Sequence, residues 1–310
     1  MLAIRRAQVD ESDRVLRLLF DQPDLPPAAL EQQVRSFRDY VSELGLDLAA
    51  DWIVADRSAW QAVGALLVSP GRTAMLMLTA QAGAALDAAL DLLLPAALAT
   101  AREQRVRLVQ VLIEPDGRET AALARHGFER LAFLDYLDRA VASRVGLASS
   151  GAAADEWRWI AYSAQTHALF ATTIEQTYIN TCDCPVLSGV RKIDDIIAGH
   201  RAATRFDPAW WQVLACGDQP AGCLLLGYVP PRDAAEVVYM GVCPESRGRG
   251  LGRVLLTRAV ELSRGANVPT LTLAVDSSNG PALRLYAALG FRRGVRRAAW
   301  INLRFAGADG

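Results

Sequence analysis

Hydrophobic residues recur along this chain with two different periods, and the resulting order of elements occurs twice. Short apolar runs predict strands, and apolar residues repeated on one helical face predict the helices between them. In the second half, residues 237–242 form such a run, which Cys243-Pro244 closes. The next helix is predicted at about residues 251–263, and its apolar face comprises Leu255, Leu256, Ala259 and Leu262.

Both halves of the chain follow one plan. Gly127-Phe128 and Gly290-Phe291 lie 163 residues apart, and this offset places predicted strand 73–79 on 236–242. Strands are predicted at 2–7, 52–55, 62–68, 73–79, 107–113 and 131–137, and again at 157–161, 210–215, 222–228, 237–242, 271–275 and 297–303. Residues 140–154 are rich in Ala, Ser and Gly. We therefore predict two domains, residues 1–143 and 155–310, joined by a linker at 144–154.

Composition narrows the class of protein. The chain has 52% hydrophobic residues and a formal net charge of −1, and this composition gives no reason to expect a nucleic-acid or membrane partner. The N-terminal residues lack an apolar signal core, and the five cysteines are odd in number, so reduced thiols in a cytoplasm are expected. The apolar segment 84–101 contains Asp87, Asp91 and Pro95, which favours a buried helix. Cys182 and Cys184 with only three histidines make a poor zinc site, so no metal is predicted.

A glycine-rich turn follows predicted strand 237–242. It runs Arg247-Gly248-Arg249-Gly250-Leu251-Gly252 and precedes a helix, so backbone N–H groups and a helix N-terminus converge on one point. Arg247, Arg249 and Arg253 add charge suited to phosphate oxygens. The alternative is a simple tight turn. A dinucleotide-binding turn is disfavoured because the last two glycines lack the wider gap of that motif.

A second motif lies downstream. Asn279 precedes Tyr286 by seven residues, close to two helical turns, which predicts that both side chains share one face. Gly290-Phe291 then closes the helix at a position suited to a left-handed C-cap.

Together the two motifs resemble the GNAT superfamily of acyl-CoA-dependent N-acyltransferases. Its Arg/Gln-x-x-Gly-x-Gly/Ala loop matches Arg247, Gly250 and Gly252, and its Asn…Tyr…Gly-Phe helix matches Asn279, Tyr286 and Gly290-Phe291. The resemblance implies an α/β (α+β) protein with two tandem GNAT folds, each a mixed, mainly antiparallel sheet flanked by helices. This tandem plan is similar to that of mycothiol-synthase-type proteins.

The first half is predicted to be a degenerate copy. At the offset of 163, Arg247, Gly250 and Gly252 meet Ala84, Asp87 and Ala89, and Asn279 and Tyr286 meet Asp116 and Leu123. A carboxylate in the turn opposes an anion, so catalysis is expected in the second domain.

The resemblance implies acetyl-CoA as the acyl donor. Its expected binding residues are Met240, Gly241, Val242, Arg247, Gly248, Arg249, Gly250, Leu251, Gly252, Arg253, Asn279 and Tyr286. Free backbone groups of the strand at 240–242 would bind the donor, and Gly241 would allow its close approach. An ordinary core strand is the alternative.

Two catalytic residues are predicted. Glu236 is the candidate general base, and period two places it on the face of Val238 and Met240; the alternative is a solvent-facing charge at a strand end. Some relatives carry their glutamate where this chain has Ala274, so water is a second candidate base. Tyr286 is the candidate acid for the thiolate, and a packed core tyrosine is its alternative.

The function expected from these residues is N-acetyl transfer from acetyl-CoA to a primary amine by direct attack in a ternary complex. The alternative is a non-catalytic acyl-CoA-binding sensor or scaffold module. The acceptor stays open among a small amine, an antibiotic, a peptide N-terminus and a thiol-precursor amine, as does the oligomeric state. Four acidic residues lie in the segment that caps the acceptor site in the family, although surface charge is their commoner role: Glu175, Asp183, Asp194 and Asp195.

Overall fold

The computed structural model describes residues 1–21, 25–56, 59–81, 83, 85–143 and 157–303. The predicted linker at 144–154 lies outside these residues. The chain divides into two compact units, residues 1–131 with 297–310, and residues 132–296. Each unit therefore includes a segment from the other half of the sequence. The boundaries of these units differ from the predicted linker at 144–154. The division of the sequence into two domains joined by that linker stays a prediction.

The first unit is a mixed sheet with strand order β1-β2-β3-β4-β5-β12. Neighbouring strands are antiparallel except for the parallel pair β4–β5. The strands are β1 (Ala3–Arg6), β2 (Asp47–Ala55), β3 (Trp60–Ser69), β4 (Thr73–Ala80), β5 (Leu108–Ile113) and β12 (Arg292–Asn302), of which residues 297–302 belong here. The helices are α1 (Ser12–Phe20), α2 (Pro27–Glu43), α3 (Leu86–Glu103) and α4 (Thr120–Arg125).

Helix α3 confirms the buried helix predicted at 84–101. It packs on β2 and β3 with its apolar face fully enclosed, namely Ala89, Leu90, Leu93, Leu94 and Ala97. Across the described residues, none of the helices combines the length and the apolar character that a membrane crossing requires.

The second unit has the strand order β6-β11-β10-β9-β8-β7, with a single parallel pair, β10–β11. Its strands are β6 (Glu129–Ala140), which enters this unit at residue 132, β7 (Trp157–Ala161), β8 (Arg205–Cys216), β9 (Gln219–Val229), β10 (Ala234–Val242) and β11 (Thr270–Asp276). Its helices are α5 (His167–Tyr178), α6 (Ile193–Ala202), α7 (Leu251–Gly265) and α8 (Gly280–Ala288).

Two apolar layers cover the two faces of this second sheet. One contains Leu255 and Leu256 of α7, and the other contains Phe170 and Ile174 of α5. Trp210 and Trp211 pack into opposite layers, so the Trp-Trp pair of β8 serves packing on both faces of the sheet.

The predicted repeat of the fold is confirmed at the parallel pairs. In the first unit β4 and β5 share three register pairs beginning at Thr73↔Leu108, and in the second β10 and β11 share three beginning at Ala234↔Thr270. The copies differ in one respect: the β9–β10 ladder shifts register at Val238, whereas the β3–β4 ladder runs without a shift. An extra residue of this kind twists a strand and redirects its side chains.

Candidate active site

A cavity of about 610 Å³ opens where β10 and β11 separate. Their parallel pairing ends at Glu236↔Thr272, and the following residues of both strands, including Met240 and Ala274, line the cavity. Backbone groups of β10 on this side no longer have β11 as a partner. The strands therefore leave an extended slot into which a ligand chain fits.

One end of the slot meets the glycine loop before α7. Gly248 and Gly250 have φ of +76° and +78°, and Gly250 is the N-cap of α7. These left-handed conformations strain any residue with a Cβ, which explains both glycines. Amides 248–252 find no hydrogen-bond acceptor among the described residues. They lie at a helix N-terminus, which favours an anion.

The loop arginines have different surroundings. The Arg247 guanidinium donates to four backbone carbonyls: Val242 at 3.1 Å, Asn180 at 3.2 Å, Thr177 at 3.0 Å and Ile179 at 2.8 Å. It thus connects the end of β10 to the C-terminal end of α5, so the expectation that its charge serves a phosphate is not supported. Arg249 stacks on Trp157, with its guanidinium carbon 5.3 Å from the ring centre, and does not line the cavity. Arg253 lines it.

Gly241 is explained by packing. A Cβ on this residue would lie 2.5 Å from the Thr177 Cβ, because Thr177 of α5 fills that space. The Thr177 hydroxyl is in turn 2.7 Å from the Tyr239 hydroxyl. Packing against Thr177 thus accounts for the glycine, and the close approach of a ligand to its backbone stays a prediction.

Asn279 and Tyr286 both line the cavity, but from different structural positions. Asn279 is the N-cap of α8 and accepts a hydrogen bond from the Ala282 amide at 3.3 Å, so it does not lie on the helix face as predicted. Gly290 has φ of +80° one residue beyond the C-cap, which confirms its predicted role in helix termination.

Tyr286 is 7% exposed and lines the slot. Its hydroxyl forms no hydrogen bond within the described residues. Burial raises the pKa of Tyr286, and the negative charge of Asp183 raises it further. The hydroxyl therefore stays protonated at neutral pH and is available as a proton donor.

Glu236 shares a face of β10 with Val238 as predicted, but not with Met240. Val237 packs in the layer of α7, and the bulge at Val238 breaks the period of two, so Glu236 lies on the face of Val238 and Tyr239, whereas Met240 packs in the layer of α7. Glu236 is not among the cavity-lining residues. Burial raises the pKa of its carboxyl, and Arg232 partly opposes that rise. Its role as general base stays a prediction.

Two aspartates are joined by hydrogen bonds to each other's neighbourhood, and one of them, Asp183, lines the slot. The Asp276 amide donates to Asp183 Oδ1 at 3.0 Å, and the Cys184 amide donates to Asp276 Oδ2 at 3.4 Å. These reciprocal bonds join the segment after α5 to the turn before α8. Sequence reasoning gave Asp183 little weight, because the two aspartates are 93 residues apart and nothing local marks their contact.

Residues 172–291 match the profile of the acetyltransferase (GNAT) family. This match covers both motifs and the slot between them. Residues 172–291 form a GNAT domain. Every predicted donor-binding residue except Arg249 lines the cavity of this domain.

Named relatives match parts of the chain. A mycothiol acetyltransferase of Kineococcus radiotolerans is 36% identical over 141 residues, which is 45% of this chain and 40% of that protein. The N-alpha-acetyltransferase RimI of Mycobacterium tuberculosis is 42% identical over 90 residues, which is 29% of this chain and 52% of RimI. The chain thus spans about half or less of the length of these relatives.

A tandem GNAT protein from the clavulanic acid biosynthesis pathway aligns over 100% of both chains, with a TM-score of 0.57 and 17% identity. At this identity the likeness concerns the fold, and it supports the tandem GNAT architecture outside the GNAT domain. Helix α3 of the first unit corresponds in the repeat to α7, whose N-terminus faces the slot. Asp87 lies in the first turn of α3 and pairs with Arg125 at 2.9 Å, so a carboxylate stands at this helix start.

Proposed function

We propose that this protein is an N-acetyltransferase that moves an acetyl group from acetyl-CoA to a primary amine by direct attack in a ternary complex. The observation that carries the proposal is the slot between β10 and β11, which meets an amide-rich helix N-terminus at one end and Tyr286 along its side. The match to the acetyltransferase (GNAT) family and the names of the relatives support the same class.

The chain's residues have distinct roles in this proposal. Acetyl-CoA supplies the activated acyl group and a thiolate leaving group. Amides 248–252 at the start of α7 bind its phosphates, and the edge of β10 at 240–242, which does not pair with β11, binds the pantetheine arm and orients the thioester. Tyr286 gives its proton to the departing thiolate. All five cysteines are free, which supports a reducing compartment such as the cytoplasm.

The first experiment is isothermal titration of acetyl-CoA into the intact protein and into Gly250→Asp. This variant places a negative charge and a strained backbone in the loop, and we expect at least a tenfold loss of affinity. Gly217→Asp is the matched control, because Gly217 also has positive φ (+58°) and open space around it but lies outside the cavity.

Acetyl transfer is then measured by thiol release and by the mass of the product, with primary amines as acceptors. Failure of the wild-type protein to bind acetyl-CoA would refute the proposal. Binding without transfer to any amine would favour the sensor or scaffold module.

A further inference from the structure

Asp183 brings a negative charge to the slot of the GNAT domain. It is the only carboxylate among the described residues that line the slot, and Tyr286 lines the same slot. Glu236, the other acidic candidate, lies outside this lining. Any cationic group that enters the slot therefore meets Asp183.

A backbone donor orients this carboxylate. Its Oδ1 accepts from the Asp276 amide at 3.0 Å, and Asn279 lines the same slot. Asp276 is held in turn by the amide and the hydroxyl of Ser278, both at 2.8 Å. Asn279 caps α8, the helix that carries Tyr286, so the same short turn positions both the carboxylate and the candidate acid.

We propose that Asp183 binds the ammonium group of the acceptor and takes up its proton, so that the substrate class is a primary amine that is cationic in solution. This inference rests on the proposed acetyltransferase function. The Asp183 carboxylate accepts one proton from R–NH3⁺, and the neutral amine then forms the C–N bond as the C–S bond of the thioester breaks. Tyr286 protonates the thiolate, and the proton that the nitrogen loses on attack replaces the one that Tyr286 gave.

The electrostatics of the site suit this role. Asp183 is exposed as a whole residue, yet desolvation by the protein around its carboxyl raises its pKa, and the charge of Asp276 raises it as well, while the hydrogen bond from the Asp276 amide opposes the rise. A carboxyl with a raised pKa holds a proton more readily than an ordinary aspartate, yet it still carries the charge that attracts an ammonium ion. Bulk water receives the proton when the product leaves.

The test compares Asp183→Asn with Asp276→Asn in the full chain. Both substitutions remove one charge from the pair, but Asp276 does not line the slot. Glucosamine and a tripeptide with a free N-terminus are titrated into the protein–CoA complex, each beside its N-acetylated form, which has no ammonium group. We expect Asp183→Asn to weaken binding of at least one amine tenfold or more and to leave acetyl-CoA affinity unchanged. Asp276→Asn should lower thermal stability and weaken amine binding less than threefold.

A second readout separates a positioning role from proton uptake. If Asp183 takes the proton, kcat/KM of the wild-type protein should rise with pH through an acidic limb that Asp183→Asn abolishes and that Asp276→Asn retains. Equal loss of amine binding in the two variants would show that the pair is only structural and would overturn the proposal. The proposal would also be overturned if the wild-type protein bound the N-acetylated forms as tightly as the amines, or if it bound neither. Amine binding that depends on Asp183 without acetyl transfer would support the carboxylate's role and refute the transferase function.

Discussion

Tyr286 combines a packed aromatic ring with a hydroxyl that is the candidate proton donor. Its ring packs near Phe291, with the ring centres 5.6 Å apart, while the side chain lines the slot. A packing role needs the ring alone, whereas a proton donor needs the hydroxyl. The two roles therefore separate on removal of a single oxygen atom.

Tyr286→Phe should lower kcat by about 100-fold, a typical loss for a general acid, with acetyl-CoA affinity changed less than about twofold. Steady-state kinetics and isothermal titration measure the two quantities. Tyr178→Phe is the control, because Tyr178 is a half-buried tyrosine whose pKa is also raised by desolvation but which does not line the slot. An unchanged kcat in Tyr286→Phe would remove the hydroxyl from the mechanism.

His200 is expected to make the domain sensitive to acid. Its ring stacks on Tyr239 with the ring centres 5.4 Å apart, and its buried Nε2 has no hydrogen-bond partner among the residues that the structure describes. Burial lowers the pKa of His200 from 6.5 to about 4, and the charge of Arg191 lowers it further. Above pH 6.5 the imidazole is neutral in both folded and unfolded chains. As the pH falls from 6.5 towards 4 the unfolded chain gains the proton first, so stability is lost in that window.

The loss due to His200 should reach about 3 kcal/mol by pH 4, since one pKa unit corresponds to about 1.4 kcal/mol. Urea unfolding at pH 7.5, 5.5 and 4.5 measures it. His200→Phe keeps an aromatic ring against Tyr239 and should show a shallower decline than the wild type. Parallel declines in the two proteins would mean that His200 is not the group responsible.

At the scale of elements, Arg247 joins the end of β10, the loop and α5. Its positive charge faces the C-terminal carbonyls of α5, which is the favourable end of the helix dipole. Arg249 lies in the same loop but stacks on Trp157 and is exposed. Arg247 thus has a structural role, whereas Arg249, two positions later, lies on the surface.

Arg247→Ala should lower the free energy of unfolding by about 1–2 kcal/mol, because several charge-assisted hydrogen bonds are lost at an exposed site. Arg249→Ala should change it by less than about 0.5 kcal/mol. If Arg249 steers the phosphates, its removal should weaken acetyl-CoA binding more at low than at high salt. Thermal melts measure the two changes in stability, and titrations of acetyl-CoA at two salt concentrations measure the role of Arg249. An Arg247→Ala protein as stable as the wild type would show that the hydrogen bonds of Arg247 to β10 and α5 do not stabilise the domain.

These elements also show what sequence reasoning can reach. The glycine loop and the Asn279–Tyr286 segment were predictable because each is a local pattern with a local backbone requirement. The bulge at Val238 was not, since a β-branched residue in a strand carries no mark of a register shift. For that reason Met240 was wrongly placed on the face of Glu236 and Val238. The reason for Gly241 lies in Thr177, 64 residues earlier, and the bond from Asp276 to Asp183 spans 93 residues. Contacts of this kind have no periodicity to read.

At the scale of the whole molecule, each compact unit contains a strand from the opposite half of the sequence. In the second unit β6 pairs with β11 through seven register pairs from Thr270↔Ala140 to Asp276↔Leu134. Buried Arg139 of β6 donates to the Leu289 carbonyl, and buried Asp135 pairs with Arg293 at 2.9 Å. In the first unit β12 pairs with β5 from Ala298↔Ile113 to Asn302↔Val109. Neither half of the sequence therefore contains all the strands of one unit.

Cleavage of the chain at an inserted protease site within residues 144–154 should leave the two fragments associated, because each unit holds a strand of the other fragment. Size-exclusion chromatography should show one peak containing both fragments, which separate only in denaturant. Residues 155–310 produced alone lack β6 and should be poorly soluble, because the edge and the apolar face of β11 are then exposed. The control is Leu137→Asp, which buries a charge in the apolar layer of α7 and should let the cleaved fragments separate in buffer. Fragments that separate readily in the wild-type protein would show that the strand exchange contributes little to stability, and that the division at 144–154 describes two independent domains.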